Sequence, residues 1–270
     1  MIESIVKGFR AITKKPVVLV PALLFAAVTL VIVMFLQDPI IDFIVDGLIA
    51  GNLPTGSLIE FPLRLFAMYP AGLMAIAAMA FVSTILWIAN AFVYARIAND
   101  LESGNASLSK AFDAVLANKA RIFWLGVFFS IIVMFFGVLV WLLLVIGSMG
   151  QALGIAALVV EVLLLAGLAY IYVKLAFVIQ AMAVSGLKPK EALVKSWNFT
   201  VGRFWHAILF LFTVTVVAQL IWLAGDVVEF YSPSVELGAV AFLLFWTIGV
   251  SFSNMAIAFY FIKKELGKSG

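Results

Sequence analysis

The sequence predicts an all-α integral membrane protein: six transmembrane helices with three short interfacial amphipathic helices on the cytoplasmic side. Three observations predict it. Hydrophobic residues make up 66% of the 270 positions and charged residues only 11%, a balance that belongs to membrane chains rather than to soluble domains. Six apolar stretches, at 17–36, 69–95, 122–146, 153–179, 204–224 and 238–262, each reach the roughly 20 helical residues that cross a hydrocarbon core. Sixteen of the 17 Lys and Arg residues then fall on one side of this six-span arrangement, and only Arg64 falls on the other. The positive-inside bias makes that side cytoplasmic, with both termini on it, in a multi-pass protein of the cell membrane.

The elements follow in order. Ile2, Ile5, Phe9 and Ile12 recur at helical spacing opposite Lys7, Arg10 and Lys14, which predicts a first amphipathic helix in the headgroup layer. Pro16 ends it and starts the first span. That span lacks a small-x-small cleavage site and is expected to stay uncleaved. On the outer side Asp38, Asp42 and Asp46 lie at i, i+4 and i+8, and Asn-Leu-Pro-Thr-Gly at 52–56 breaks the chain before Glu60, Phe61 and Pro62. After the second span, Leu108, Ala111, Phe112 and Val115 form the stripe of a second amphipathic helix, with Ser107 as its N-cap. Spans three and four make a hairpin about a tight turn at 147–151. Leu193 and Trp197 mark a third amphipathic helix, opened by Pro189 in its first turn. Asp226, Glu229 and Glu236 make a second acidic outer loop before the last span.

The strings SIVKGFRAI, SLSKAFDAV and KPKEALVKSW align as openings of three units, each an amphipathic helix, a span and a return span. They divide a single polytopic domain, 1–270, into repeats at 1–95, 96–180 and 181–265. Three units of one orientation would form a pseudo-threefold bundle. The stretch at 186–197, Gly-Leu-Lys-Pro-Lys-Glu-Ala-Leu-Val-Lys-Ser-Trp, followed by Gly202 and Trp205, resembles the G-x-x-P-x-E-A-L-x-x-S-W pattern of YciC-type inner-membrane proteins. It is also similar to the membrane domain fused to some glycerophosphoryl diester phosphodiesterases. The likeness covers about 25 residues and implies a fold and a location. The catalytic barrel of the fused enzymes has no counterpart here, so their chemistry does not carry over.

Several function classes are excluded by residue content. The absence of cysteine removes disulfides, thiolate chemistry and cysteine-ligated metals. The Lys and Arg residues flank membrane spans, where anionic headgroups account for them without nucleic acid. No phosphate-cradling glycine loop and no G-x-S-x-G or H-E-x-x-H pattern is present, and no cofactor is expected.

The costliest residue is Glu161, about eight residues and ~12 Å into the fourth span, where a carboxylate is by default a functional-site hypothesis. Gln219, at comparable depth on the fifth span, is its candidate partner. Lys174 lies too far along the same helix to pair with Glu161, and beside Tyr170 and Tyr172 it is expected to snorkel to the cytoplasmic headgroups. Phe9, Phe112 and Trp197 are the expected lipid-contacting residues of the three amphipathic helices. The Asp38, Asp42 and Asp46 row is a weak divalent-cation candidate. His206, the single histidine, is expected at the interface. Asn90 and Asn254 are expected to hydrogen-bond neighbouring helices. The leading reading is a non-enzymatic protein that engages lipid or another amphiphile. A solute or ion transporter using Glu161 and a scaffold recruiting a cytoplasmic protein are the alternatives.

Overall fold

The computed structural model describes residues 1–49, 64–65, 67–104, 106–148 and 151–266. Among them there is no strand, and ten α-helices follow one another: α1 (Ile2–Lys14), α2 (Val20–Asp42), α3 (Pro70–Glu102), α4 (Leu108–Ala117), α5 (Lys119–Ser148), α6 (Gln151–Leu175), α7 (Val178–Ser185), α8 (Pro189–Phe199), α9 (Phe204–Phe230) and α10 (Val235–Leu266). A 3-10 turn, Pro16–Leu19, leads into α2, and a π-helical stretch, Phe43–Ile49, continues from it. Six helical stretches are long and apolar enough to cross a membrane. The chain is a multi-pass membrane protein. The break expected at 52–56, with Glu60, Phe61 and Pro62, lies outside the described residues, as does the centre of the turn at 147–151.

The spans outrun the apolar windows. The first extends from Pro16 to Asp46 instead of stopping near residue 36, because Ile40, Ile41, Phe43 and Ile44 keep the segment apolar past Pro39. The fourth covers Gly154–Ser185 but is broken between α6 and α7.

The chain divides into two compact units. One comprises Met1–Ala26, Trp87–Leu125 and Leu168–Gly270. Its most extensively packed pair is α9 with α10. Small residues set the approach there: a Cβ at Gly225 would come within 2.8 Å of the Phe245 Cβ. The Trp222 indole N–H donates to the Trp246 carbonyl at 3.3 Å, and Phe210 stacks on Tyr260 with ring centroids 4.0 Å apart. Tyr94 of α3 shares a 2.6 Å hydrogen bond with Ser251 of α10. Helix α1 also lies against α10, close enough that a Cβ at Gly8 would be 3.3 Å from the Ala256 nitrogen.

The other unit comprises Ala27–Leu86 and Gly126–Gly167. In it α2 meets the start of α3, where Gly72 faces Phe43 and the Pro39 carbonyl. The Tyr69 hydroxyl donates to Asp46 at 2.8 Å.

Candidate functional site

The first unit gathers most of the cations around the short helices, and many of them have structural duties. The break between α6 and α7 leaves backbone groups without helical partners. Ser196 of α8 fills the gap, donating to the Lys174 carbonyl at 2.7 Å and accepting from the Phe177 N–H at 3.2 Å. At the other end of α7, Gly186 takes the left-handed conformation of a helix cap, φ 66°. Arg96 donates to the Ala183 carbonyl at 3.1 Å and Arg121 to the Gly186 carbonyl at 3.4 Å. Two guanidiniums thus satisfy the carbonyl end of α7, where positive charge also suits the helix dipole. Ser107 caps α4 through the Lys110 N–H, and Pro189 opens α8. Ion pairs join Lys7 to Glu102 at 2.6 Å, Lys195 to Glu265 at 3.1 Å, and Lys263 to Glu3. The Lys263 hydrogen bond, then its charge, hold the Glu3 carboxyl below its ordinary range.

Helix α1 presents three faces. Ser4, Gly8, Ala11 and Ile12 are buried. Ile2 (72% exposed), Val6 and Phe9 (39%) stand on another face, although the Phe9 ring also stacks on Phe252 at 4.3 Å. Lys7, Arg10 and Lys14 occupy the arc between them, at the roughly 100° per residue of a helix. The α1 surface therefore resolves into a face of mostly small residues that packs on protein and an exposed face of Ile2 and Val6, with Phe9 at its edge stacked on Phe252. Phe112 of α4 is half-buried, with Ala111 beneath it and Leu116 exposed. Trp197 of α8 is exposed beside Val194.

Lys174 departs from the snorkelling expectation. Its side chain is 5% exposed, and its ammonium lies 5.0 Å from the Trp197 ring, 5.6 Å from Tyr170 and 5.8 Å from Phe204. Three aromatic faces attract the cation in place of water. Tyr170 is one turn away on the same helix, but Trp197 and Phe204 are 23 and 30 residues on, a convergence with no local sequence signal.

Glu161, in the second unit, is half-buried and has no hydrogen bond or ion pair among the described residues. Gln219, in the first unit, is exposed on α9 and likewise without a hydrogen bond. The Asp38, Asp42 and Asp46 carboxylates are exposed, and no group of three metal-capable side chains converges among the described residues. Successive turns spread such a row along the axis by about 5.4 Å each, and the π-helical winding from Phe43 turns Asp46 off it. Neither asparagine reaches across to a neighbouring helix. Asn254 donates to Val250 of its own helix at 2.9 Å, and the buried Asn90 amide has no partner among the described residues for either its oxygen or its nitrogen.

Among the recesses that open in the first unit, three gather charged side chains. The largest, about 690 Å³, is lined by α8 and the end of α10 and mixes Lys190 and Lys195 with Glu191 and Glu265. A second, about 290 Å³, places Lys7, Arg10, Lys14 and Lys15 around Phe259, with Glu102 among them. The third, about 220 Å³, is lined by Met1, Gly202, Arg203, His206, Tyr260 and Lys264. No carboxylate lines it. The Met1 amino group there is held below its usual value by partial burial first, then by the charges of Lys263 and Lys264. His206, at the start of α9, is joined there by Tyr260 and Lys264 through the packing of α9 on α10.

No family model, curated protein or solved structure matches the chain.

Proposed function

We propose that this multi-pass protein is a non-enzymatic membrane component that engages anionic lipid, with α1, α4 and α8 lying in the cytoplasmic headgroup layer. One observation carries the reading: α1 leaves Ile2 and Val6 uncovered, with part of Phe9, beside Arg10 and Lys14. An apolar face for acyl chains next to cations for phosphates is the pattern of an interfacial helix. The N-in, C-in orientation and the threefold repeat of helix, span and return span belong to the same proposal. So does kinship with the YciC-type proteins, which rests on the stretch at 186–205.

The test compares melting of the full chain in nanodiscs of phosphatidylcholine and of phosphatidylglycerol. The anionic lipid is expected to raise the melting temperature, and the Ile2→Ser, Val6→Ser double variant to lose most of that gain. Equal melting of the parent chain in both lipids would refute lipid engagement.

A second reading uses Glu161 as a carboxylate relay for a small solute or ion, because it is an intramembrane acid with no partner among the described residues. Proton or cation flux into proteoliposomes that survives Glu161→Gln unchanged would remove it. If the chain is a scaffold, neither the parent nor Glu161→Gln is expected to give flux above that of empty liposomes.

A further inference from the structure

The third recess differs from the other two in having no carboxylate in its lining among the described residues. Its permanent cations, Arg203 and Lys264, make no ion pair among the described residues, and neither does His206. In the second recess, by contrast, Glu102 lies among the cations and pairs with Lys7, leaving Arg10, Lys14 and Lys15 without an ion pair among the described residues, and the first holds two carboxylates of its own. The third also lies at the N-terminal turn of α9, a 27-residue helix whose N-cap, Arg203, provides no side-chain acceptor for the first amides. Those amides have no partner within the helix, and they are the positive end of its dipole. Gly202, at φ 72°, turns the chain sharply from α8 into that helix start. Tyr260 is fixed by its stack on Phe210.

We propose that this recess binds a phosphate monoester or free phosphate, with Arg203 and Lys264 as its charge partners and His206 and Tyr260 as further donors. The chemistry selects this anion. A phosphomonoester carries about −1.5 to −2 charges and three terminal acceptor oxygens, matching two fixed cations and two neutral donors. A phosphodiester headgroup has one charge and two terminal oxygens and would leave donors unused. The guanidinium suits two oxygens at once, and the ammonium a third. The volume, about 220 Å³, holds roughly seven waters at about 30 Å³ each, ample for one phosphate group. Where the phosphate is that of a lipid headgroup, the inference rests on the lipid-engaging reading. Free phosphate would need no such reading.

The experiment uses the full chain. Inorganic phosphate is titrated calorimetrically in lipid-free detergent, and retention of phosphatidic acid is compared with phosphatidylglycerol by native mass spectrometry from mixed nanodiscs. Saturable phosphate binding, preferential retention of phosphatidic acid, or both is expected. The first alone assigns the free anion, and the second alone the lipid. Arg203→Gln and Lys264→Gln should each weaken binding about tenfold, the loss expected for one charge-assisted hydrogen bond. Lys190→Gln, outside the recess, should not. If Arg203→Gln fails to fold, Lys264→Gln decides alone. Absence of both binding modes, or unchanged binding in a folded Lys264→Gln variant, would overturn the site. If phosphatidylglycerol still raises the melting temperature in that case, the phosphate site fails and the lipid-engaging reading stands. If that effect is missing too, both fail.

Discussion

The contact between α9 and α10 gives the sharpest expectation about stability. Gly225 is buried, and a methyl there would meet the Phe245 Cβ at 2.8 Å. A Cβ is anchored to its backbone and cannot swing aside as a side-chain tip can. The helices must therefore part by about 0.6 Å to restore the lower edge of ordinary contact. Overpacking of this kind costs about 1–3 kcal/mol. Alanine also gains about 1 kcal/mol over glycine in a helix, so Gly225→Ala is expected to be destabilised by roughly 0–2 kcal/mol. Gly137 on α5 supplies the reference, because nothing lies within 4 Å of a Cβ added there. The propensity gain is common to both variants. Their difference, about 1–3 kcal/mol, isolates the steric cost. Reversible unfolding in mixed micelles would measure it. A Gly225→Ala protein as stable as Gly137→Ala would refute the close approach of α9 and α10.

Ser196→Ala should cost about 1–3 kcal/mol in the same assay, because it strands the Phe177 N–H in a buried position. Asn90→Leu should be neutral or stabilising, since the buried amide it replaces has no partner among the described residues; a loss above about 1 kcal/mol would reveal one. Glu3, held below its ordinary pKa by Lys263, contributes fully above its unfolded value of 4.5 and loses that contribution as pH falls through the lower folded value. Rate-corrected hydrogen exchange of α1 should therefore speed up below pH 4.5, and Glu3→Gln should abolish the dependence. Single cysteines should react with an impermeant thiol reagent from outside at Ser234 and only after permeabilisation at Ser109; the reverse pattern would invert the topology.

The tertiary structure altered the local readings in specific ways. The α1 stripe was visible as Ile2, Ile5, Phe9 and Ile12, but helical periodicity does not say which apolar face meets protein. Helix α10 selected the small residues for its closest approach, because Ser4, Gly8 and Ala11 let two backbones come together, while Phe9 reaches it only through its ring and Ile2 stays exposed. Lys174 looked like a snorkelling residue from its position near the span end. Its actual surroundings depend on α8 folding back over the break after α6, which no run of neighbouring residues encodes. The aspartates do not converge into a three-carboxylate group among the described residues for a simpler reason: helical spacing aligns side chains along an axis without bringing them to one point.

What the sequence determined by itself was the class of solvent and the number of crossings. Both depend on sums over about 20 residues, so errors at single positions average out, and the six long apolar helices are found. Local stops and caps were legible for the same kind of reason: Pro189 and Ser107 act within one turn of where they stand. Only the tertiary structure decided which charges are neutralised and which are left over. Lys263 finds Glu3 across 260 residues, while Lys264, next to it, lines a recess with Arg203. Adjacent helical residues point about 100° apart, so a one-residue step separates a structural ion pair from an unpaired cation, and only the packed partner helices show which is which.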